Sequence, residues 1–308
     1  SHIGNFADGQ QGILRAKAEI VDGLQAGGIL LLNGDDPLLL DLALELKERF
    51  RVVFTHRAAH AHARLYEVAA ACGGEGGAGV IYTASEEQLE DLHVHYTLLR
   101  ETVTAAGVTQ ETLGQVACPA PGEHQVMNTL FAMACAGILE LPIEQANRAM
   151  QSFTPTGHRQ RLEHYGPYTV INDAYNASPE SMGSAFALLE ALAQEQGGRP
   201  IAALGCMAEQ GAQAEELHKQ VGRDLARYDL TEIHVIGPEA GYIAAGAQEV
   251  KPELTLSCYD DMHELTAQVL QNLEAGDTVL VKGSRVYAME RLAASIAEWH
   301  EASGEKRG

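Results

Sequence analysis

Residues 168–205, YTVINDAYNASPESMGSAFALLEALAQEQGGRPIAALG, decide the fold class of this chain. The stretches 168–172 and 200–204 are apolar runs of strand length, and 179–194 between them has the length and apolar spacing of a helix. A helix between two buried strands is typical of a parallel sheet, because parallel strands need a connection of this length. The segment therefore predicts an α/β domain with a doubly wound sheet.

The same alternation continues to the end of the chain and is also found near its start. Downstream, we predict strands at 232–236, 255–259 and 278–282 and helices at 214–228, 242–248, 262–273 and 288–300. Upstream, we predict helices at 10–25, 38–50, 124–139 and 143–151, strands at 29–32 and 51–55, and only short strands near 80–83 and 93–98. The Pro/Gly-containing segment 153–157 interrupts this pattern and indicates two domains, 1–154 and 155–308.

Charge and cysteine content exclude several classes of protein. The formal net charge of the 308 residues is −21, so we expect neither nucleic-acid binding nor attachment to an anionic membrane surface. No apolar run is long enough to cross a bilayer, so membrane insertion is not expected. The five cysteines include no CxxC pair, which favours reduced thiols in a cytoplasmic protein.

The loops after the predicted strands contain the candidate binding residues. Lys282, Ser284 and Arg285 surround a glycine turn before a helix, which predicts an anion site. The loop 173–179 is either a polar cup for a ribose or an amino-acid group, or a helix cap formed by Ser178. We expect His218, on the helix after another glycine turn, to be a half-exposed helix residue.

Two further groups of residues have alternative interpretations. Lys17 lies on a helix face and is either a surface lysine or a desolvated amine that captures CO2 as a carbamate and so provides an oxygen ligand for Mg²⁺. The His-x-His pairs at 60/62 and 93/95 would place imidazoles on one strand face, but they lack partners at metal-ligand spacing.

Six segments, in order along nearly the whole chain, resemble motifs of the Mur ligase family. They are HIGNFADGQQGILRAKAEI (2–20), NGDDP (33–37), GEHQVMNTLFA (122–132), NDAYNASPESM (172–182), GCMAEQG with the following His218 and VG (205–222) and LVKGSRVYAME (280–290). The resemblance implies the back part of a central ATPase domain, followed by a Rossmann-like, doubly wound C-terminal domain. It is strongest to the members that act on D-Ala-D-Ala in peptidoglycan precursor synthesis.

The resemblance also implies a reaction and its ligands. ATP would phosphorylate the carboxylate of UDP-N-acetylmuramoyl-tripeptide, and the amine of D-Ala-D-Ala would attack the acyl phosphate, with Mg²⁺ neutralising phosphate charge. We also expect a monomer. Lys17 resembles the lysine that is carbamylated to hold Mg²⁺, and His2 resembles a histidine ligand of the same metal. Asn128 would lie beside the adenine, Arg159 would reach the phosphates, and Asp173 would bind the ribose.

The remaining implied roles concern the dipeptide, and they are given to Asn176, Lys282, Ser284 and Arg285. The sequence departs from the family at Cys206, where the family has Asp, and at Gln125, where it has Asn. It contains no GKT or GKS phosphate loop, so the chain resembles the back half of a ligase. Two alternatives stay open: a sibling ligase that adds a single amino acid or glutamate, and a binding module without catalysis.

Overall fold

The computed structural model describes residues 8–60, 62–74, 77–90, 93–119, 124–152 and 157–305. The chain divides into two compact units, one formed by Leu14–Thr154 and the other by Pro155–Gly308 together with Ser1–Ile13. No helix in these ranges combines the length and the hydropathy needed to cross a membrane.

The chain up to Gln151 contains five helices and a five-stranded sheet in its described part. The helices are α1 (Gln10–Ala18), α2 (Pro37–Leu46), α3 (Ala63–Cys72), α4 (His124–Ile138) and α5 (Ile143–Gln151). The strands are β1 (Ile29–Asn33), β2 (Arg51–Arg57), β3 (Gly79–Glu90), β4 (His93–Thr104) and β5 (Gly107–Cys118), in that order across the sheet. β1, β2 and β3 are parallel, whereas β3, β4 and β5 form an antiparallel meander.

Alternating side chains of β2 fill the core on both sides of this first sheet. Val53 points to the face covered by α4, whose Leu130 and Met133 are fully buried. Val52 and Phe54 belong to the core on the other face, where α2 and α3 pack. A strand buried on both faces reads as a continuous apolar run, which is why β2 was recognisable in the sequence.

The second unit has a six-stranded sheet with the order β10-β9-β8-β11-β7-β6. Its strands are β6 (Arg161–Tyr165), β7 (Tyr168–Asp173), β8 (Pro200–Gly205), β9 (Glu232–Ile236), β10 (Ser257–Tyr259) and β11 (Thr278–Lys282). Its helices are α6 (Pro179–Gln196), α7 (Ala214–Leu225), α8 (Ala240–Val250), α9 (Met262–Asn272) and α10 (Glu290–Glu305). The edge strand β6 runs antiparallel to β7, and all other strand pairs in this sheet are parallel.

Helices cover both faces of the second sheet. Val170, Val279 and Val281 form one core with the buried side chains of α9 and α10. α6 packs against β8 and β11 from the other side. The predicted α/β fold with a doubly wound second sheet is therefore confirmed.

The prediction was incomplete in residues 56–121, and it was wrong about the end of the helix expected at 10–25. α3 was missed, and so was β5, because most of its side chains are exposed and show no apolar alternation. The strands predicted near 80–83 and 93–98 are twelve-residue strands. α1 ends at Ala18 and continues as a 3₁₀ helix, Glu19–Gly23, where β-branched residues and a glycine weaken the α-helix. The edge strand β6 was also missed.

Candidate active site

Two loops of the second sheet meet at its carboxyl edge. The Ser284 hydroxyl, after β11, accepts a hydrogen bond from the Ala208 N–H, after β8, at 2.8 Å. The Ser284 N–H donates to the Cys206 carbonyl at 3.4 Å. A Cβ on Gly283 would lie 2.8 Å from the Gly205 Cα, so the backbones approach closely only because Gly283 has no side chain. Ligands of open α/β sheets bind at this edge.

Lys282 and Asp173 form a buried ion pair at the ends of β11 and β7. The parallel register aligns their Cα atoms, and the Lys282 Nζ lies 2.5 Å from Asp173 Oδ2 and 3.1 Å from the Asn176 carbonyl oxygen. The Lys282 side chain is only 2% exposed. The structure thus brings three of the predicted site residues together. A carboxylate already neutralises Lys282, and the anion site expected around it stays a prediction.

Both carboxylate oxygens of Asp173 have donors. Oδ2 accepts from Lys282, and Oδ1 accepts from the Gln160 N–H at 3.2 Å. Gln160 adopts a left-handed backbone with φ 46°, which aims its N–H at the carboxylate. A carboxylate oxygen has two lone pairs, so a further hydroxyl can still be accepted. The ribose-binding role of Asp173 remains a prediction.

The loop between β7 and α6 is fixed by local hydrogen bonds. Ser178 and Ser181 form a reciprocal capping box, and Pro179 occupies the first turn, so the interpretation of Ser178 as a helix cap is confirmed. The Asn176 Oδ1 accepts from the Ala177 N–H at 2.9 Å. Within the described ranges, the Asn176 Nδ2 has no hydrogen-bond partner, so it is a donor available to a ligand at the N-terminus of α6.

Arg159 lies beside the same loop. Its guanidinium carbon is 4.1 Å from the centroid of the Tyr175 ring, which gives a cation–π contact. The Tyr175 N–H donates to the His158 carbonyl at 3.0 Å and so joins the segment before β6 to the loop after β7. Arg159 and Tyr175 are both exposed, which leaves the guanidinium accessible to an anion.

Arg285, on the loop after β11, is paired with Glu290. Its Nη1 lies 2.5 Å from Glu290 Oε1. Burial acts to raise the pKa of Glu290, but hydrogen bonds from its own backbone and from Arg285, and the charges of Arg285 and His158, lower that pKa overall. The Glu290 Oε2 and the His158 Nδ1 are buried without partners among the described residues. Sequence reasoning missed both, although Glu290 closes the motif LVKGSRVYAME.

Cys206, His218 and Glu239 place possible metal-ligand atoms within 4.8 Å of one another. However, the His218 Nε2 accepts from the Met207 N–H at 2.9 Å, and the Nδ1 donates to the Ala214 carbonyl at 2.6 Å. Burial also raises the pKa of the Cys206 thiol to about 12. Because the imidazole lone pair is occupied and the thiol is protonated, we assign this cluster to holding the loop after β8. The expected half-exposure of His218 was wrong, since the residue is fully buried.

Asn128 and Lys17, two of the predicted site residues, are exposed on helices of the chain before Gln151. Asn128 is exposed on α4, and its Nδ2 donates to the Gln125 Oε1 at 3.2 Å. Lys17 is exposed in the last turn of α1. His2 lies outside the described residues. The carbamate on Lys17 therefore stays a prediction.

The carboxyl edge of the first sheet holds a pair that the sequence analysis missed. The His56 Nδ1 lies 2.6 Å from the Asp35 Oδ1, and His56 is fully buried. His60 approaches the other oxygen of Asp35 at 3.3 Å from a 3₁₀ helix, so the His60 and His62 side chains do not share a strand face as expected. Burial acts to raise the pKa of Asp35, but the hydrogen bond and charge of His56 lower it overall.

Family models match most of this chain. Residues 1–136 match the Mur ligase middle domain, and residues 159–285 match the Mur ligase glutamate ligase domain. The chain is 28% identical over 304 residues to the UDP-N-acetylmuramoyl-tripeptide–D-alanyl-D-alanine ligase of Bacillus subtilis strain 168, with 97% of this chain and 57% of that protein covered. It is 32% identical to the ligase of the same name from Treponema pallidum, over 56% of this chain and 37% of that protein.

A solved structure shares this architecture. The crystal structure of MurF from Acinetobacter baumannii matches with a TM-score of 0.72 at 25% identity, covering 97% of this chain and 57% of that one. The chain thus spans a little over half the length of such relatives. A MurF ligase of Thermotoga maritima, solved in complex with ADP, has the same fold at 20% identity and a TM-score of 0.64.

Proposed function

Because this chain belongs to the Mur ligase family, we propose that it provides the ATP-binding and C-terminal parts of a ligase that adds D-Ala-D-Ala to UDP-N-acetylmuramoyl-tripeptide. The observation that carries the proposal is the cluster of Lys282, Asp173 and Asn176, in which two of the resembling motifs meet. The curated relatives from Bacillus subtilis and Treponema pallidum carry that activity in their names. We further propose that 1–154 and 155–308 are the two domains.

The proposed chemistry activates an acid before an amine attacks it. A carboxylate oxygen of the tripeptide attacks the γ-phosphorus of ATP, ADP leaves, and an acyl phosphate forms. The dipeptide amine then attacks the acyl carbon, the tetrahedral intermediate expels phosphate, and the ammonium proton passes to a base. Positive charge around the phosphate lowers the barrier of both steps, because negative charge accumulates there in each transition state.

The proposed roles follow from where each side chain lies. Arg159 is exposed and pre-oriented by Tyr175, which suits it to reach a phosphate group. The Asn176 Nδ2 is available to a carbonyl or carboxylate oxygen at the N-terminus of α6. Lys282 sets the position of Asp173, and we propose that Asp173 accepts a hydrogen bond from a ribose hydroxyl. Ser284 and Arg285 lie on the adjoining loop, where we propose that the dipeptide binds.

The remaining roles concern the first unit and the metal. We propose that Asn128 lies beside the adenine, and that His2 and a carbamate on Lys17 hold Mg²⁺, which supplies charge neutralisation at the phosphates. Phosphoryl transfer also needs a cradle for the β- and γ-phosphates, and the sequence has no GKT or GKS segment. Ligand binding, rather than turnover, is therefore the appropriate test of this chain.

Titration of the chain with D-Ala-D-Ala, followed by amide NMR, tests the proposal. We expect saturable shifts confined to the loops 174–178 and 283–289. Arg285→Ala should weaken the affinity about tenfold, as expected for one lost charged contact. Arg227→Ala removes an exposed arginine in the turn after α7, where it pairs with Asp224, and should leave the affinity unchanged.

Two results would reject the proposed dipeptide site. One is the same shifts with L-Ala-L-Ala, which would show a lack of stereochemical selection. The other is no shift at these loops at millimolar dipeptide while the spectrum remains that of a folded protein. Stronger binding of a single amino acid than of the dipeptide would favour a sibling ligase.

A further inference from the structure

A cavity of about 240 Å³ lies on the α4 face of the first sheet, at the end opposite to the loop after β1. Its polar lining comes from Arg51, Tyr82, Arg100, Thr102 and Glu140. Arg51 is the first residue of β2, so the cavity is at the amino edge of the parallel strands. Ligands of such sheets ordinarily bind at the other edge, and none of these residues is used by the proposed function.

The sheet register places the cavity's donors side by side. Tyr82 of β3 is the Cα partner of Arg100 of β4, and Val80 of β3 is the partner of Thr102. Because residues two apart on a strand point to the same face, the Tyr82 and Thr102 hydroxyls and the Arg100 guanidinium face one side of the sheet. Arg51 joins them from β2, where Val53, two residues further on, is paired with Val80. The cavity is therefore built by three strands rather than by one flexible loop.

Gly137 of α4 makes room for the Tyr82 ring. A Cβ at this position would lie 2.5 Å from the Tyr82 hydroxyl oxygen and 2.7 Å from Cε1. A glycine inside a helix is unfavourable compared with alanine, so its presence here has a structural reason. The reason is that the Tyr82 ring packs against the backbone of Gly137. Tyr82 is only 3% exposed, and its hydroxyl lines the cavity.

The electrostatics of the cavity favour an anion. Arg100 pairs with Glu111 at 2.6 Å, in a contact where both side chains are about half exposed. Arg51 has no ion-pair partner in the described ranges, and Glu140 is the one acidic side chain among the lining residues. Burial raises the pKa of Tyr82 although both arginines act to lower it, so its hydroxyl stays protonated and can donate. Because Glu111 already pairs with Arg100, Arg51 is the guanidinium of the cavity that no carboxylate of the described residues pairs with, and it is the group an anion would meet.

We propose that this cavity binds the oxyanion group of a small metabolite, a carboxylate or a phosphate. Arg51 and Arg100 supply the charge, and the Tyr82 and Thr102 hydroxyls supply neutral donors. Guanidinium groups match the planar, two-oxygen geometry of these anions. The volume fits one such group with a short apolar body against Val53 and Val80, and it does not fit a nucleotide.

The test uses the whole chain and two simple probes, inorganic phosphate and benzoate, titrated separately and followed by amide NMR at constant ionic strength. We expect saturable shifts at residues 51, 82, 100 and 137 with at least one probe. Arg51→Ala should weaken that binding about tenfold or more, since one charged hydrogen-bonding group is lost. The probe that binds more tightly identifies the anion as a phosphate or a carboxylate.

Two further variants separate binding from folding. Gly137→Ala should displace Tyr82 and abolish the shifts, whereas Arg148→Ala removes an exposed arginine on α5 and should change nothing. Shifts that stay unsaturated with both probes, or equal affinity in the parent chain and in folded Arg51→Ala, would overturn the proposal. So would equal weakening in Arg148→Ala, because the effect would then reflect general charge.

Discussion

Lys282 and Asp173 are register partners at the ends of two parallel strands, and their side chains form an ion pair of 2.5 Å. The pair lies at the carboxyl edge of the second sheet, where Lys282 also donates a hydrogen bond to the backbone of the loop before α6. The Lys282 ammonium group therefore holds both the Asp173 carboxylate and the loop after β7 in position. The arrangement makes Lys282 a positioning residue for the candidate site and a determinant of stability.

Replacing Lys282 with Met should destabilise the protein strongly. The variant leaves the Asp173 carboxylate buried without a counter-charge, and loss of one partner of a buried pair costs roughly 3–5 kcal/mol. Lys282→Met combined with Asp173→Asn should recover a large part of that free energy of unfolding, which urea denaturation measures. Lys219→Met is the matched control, because its pair with Glu215 is screened by solvent and should contribute little to stability. A similar loss in both single variants would refute the burial argument.

Two glycines of α8 should respond to alanine in opposite directions. A Cβ on Gly246 would lie 2.0 Å from the Lys219 carbonyl oxygen of α7, so Gly246→Ala must separate the two helices at a cost of about 1–3 kcal/mol. A Cβ on Gly241 meets nothing within 4 Å, so Gly241→Ala should stabilise the helix by about 0.5 kcal/mol. Denaturation midpoints of the two variants check the packing. Equal effects would show that α7 and α8 are not in close contact.

The five cysteines should differ in their reaction with iodoacetamide. Cys135 and Cys258 are exposed, whereas Cys118 and Cys206 are buried with thiol pKa values raised to about 11 and about 12. The thiolate is the nucleophile, so in the folded protein we expect the buried pair to react about 100-fold or more slowly than Cys135. Mass spectrometry of timed samples measures this. Rapid labelling of Cys206 without denaturant would mean that the loop after β8 is open.

Stability should fall as the pH drops below about 6.5, the ordinary pKa of an unfolded histidine. Burial lowers the pKa of His218 and of His234 in the folded protein. Below pH 6.5 these histidines therefore bind protons in the unfolded chain but stay neutral in the folded protein. Each of them makes the free energy of unfolding fall by up to about 1.4 kcal/mol per pH unit as the pH drops.

His218→Gln should make this acid slope shallower, since glutamine can still accept from the Met207 N–H but does not titrate. His263→Gln, at an exposed position of α9, is the control and should keep the parent slope. Urea titrations at pH 5, 6 and 7 provide the measurement. An unchanged slope in His218→Gln would show that His218 is not buried as a neutral imidazole.

Short buried elements were the easiest to predict from the sequence. The bounds of β9 and β11 agree with the structure at both ends, because their buried residues begin and end abruptly. The bounds of α5 also agree, although none of its residues is buried. β5 and β6 could not be found, since they are edge strands with mostly solvated side chains. α3 was missed although its alanines favour a helix, because it is short and lies in a segment rich in histidine and glycine that was not assigned.

Part of the candidate site was also predictable. The positions of Asp173 and Lys282 at strand ends follow from apolar patterning, and the order of parallel strands decides which ends are neighbours. Their direct pairing is not predictable from spacing, since 108 residues separate them and only the register makes them partners. The same holds for the pairing of Arg285 with Glu290 and for the full burial of His218.

Amine-dependent ADP release tests the central claim most directly. A single chain that joins the amino-terminal part of the Bacillus subtilis relative to residues 1–308 would be supplied with ATP, Mg²⁺, UDP-N-acetylmuramoyl-tripeptide and one amine at a time. We predict ADP release that is about tenfold or more faster with D-Ala-D-Ala than with D-Ala or L-Ala-L-Ala. Equal release with a single amino acid, or none while the parent Bacillus enzyme is active, would contradict the assignment.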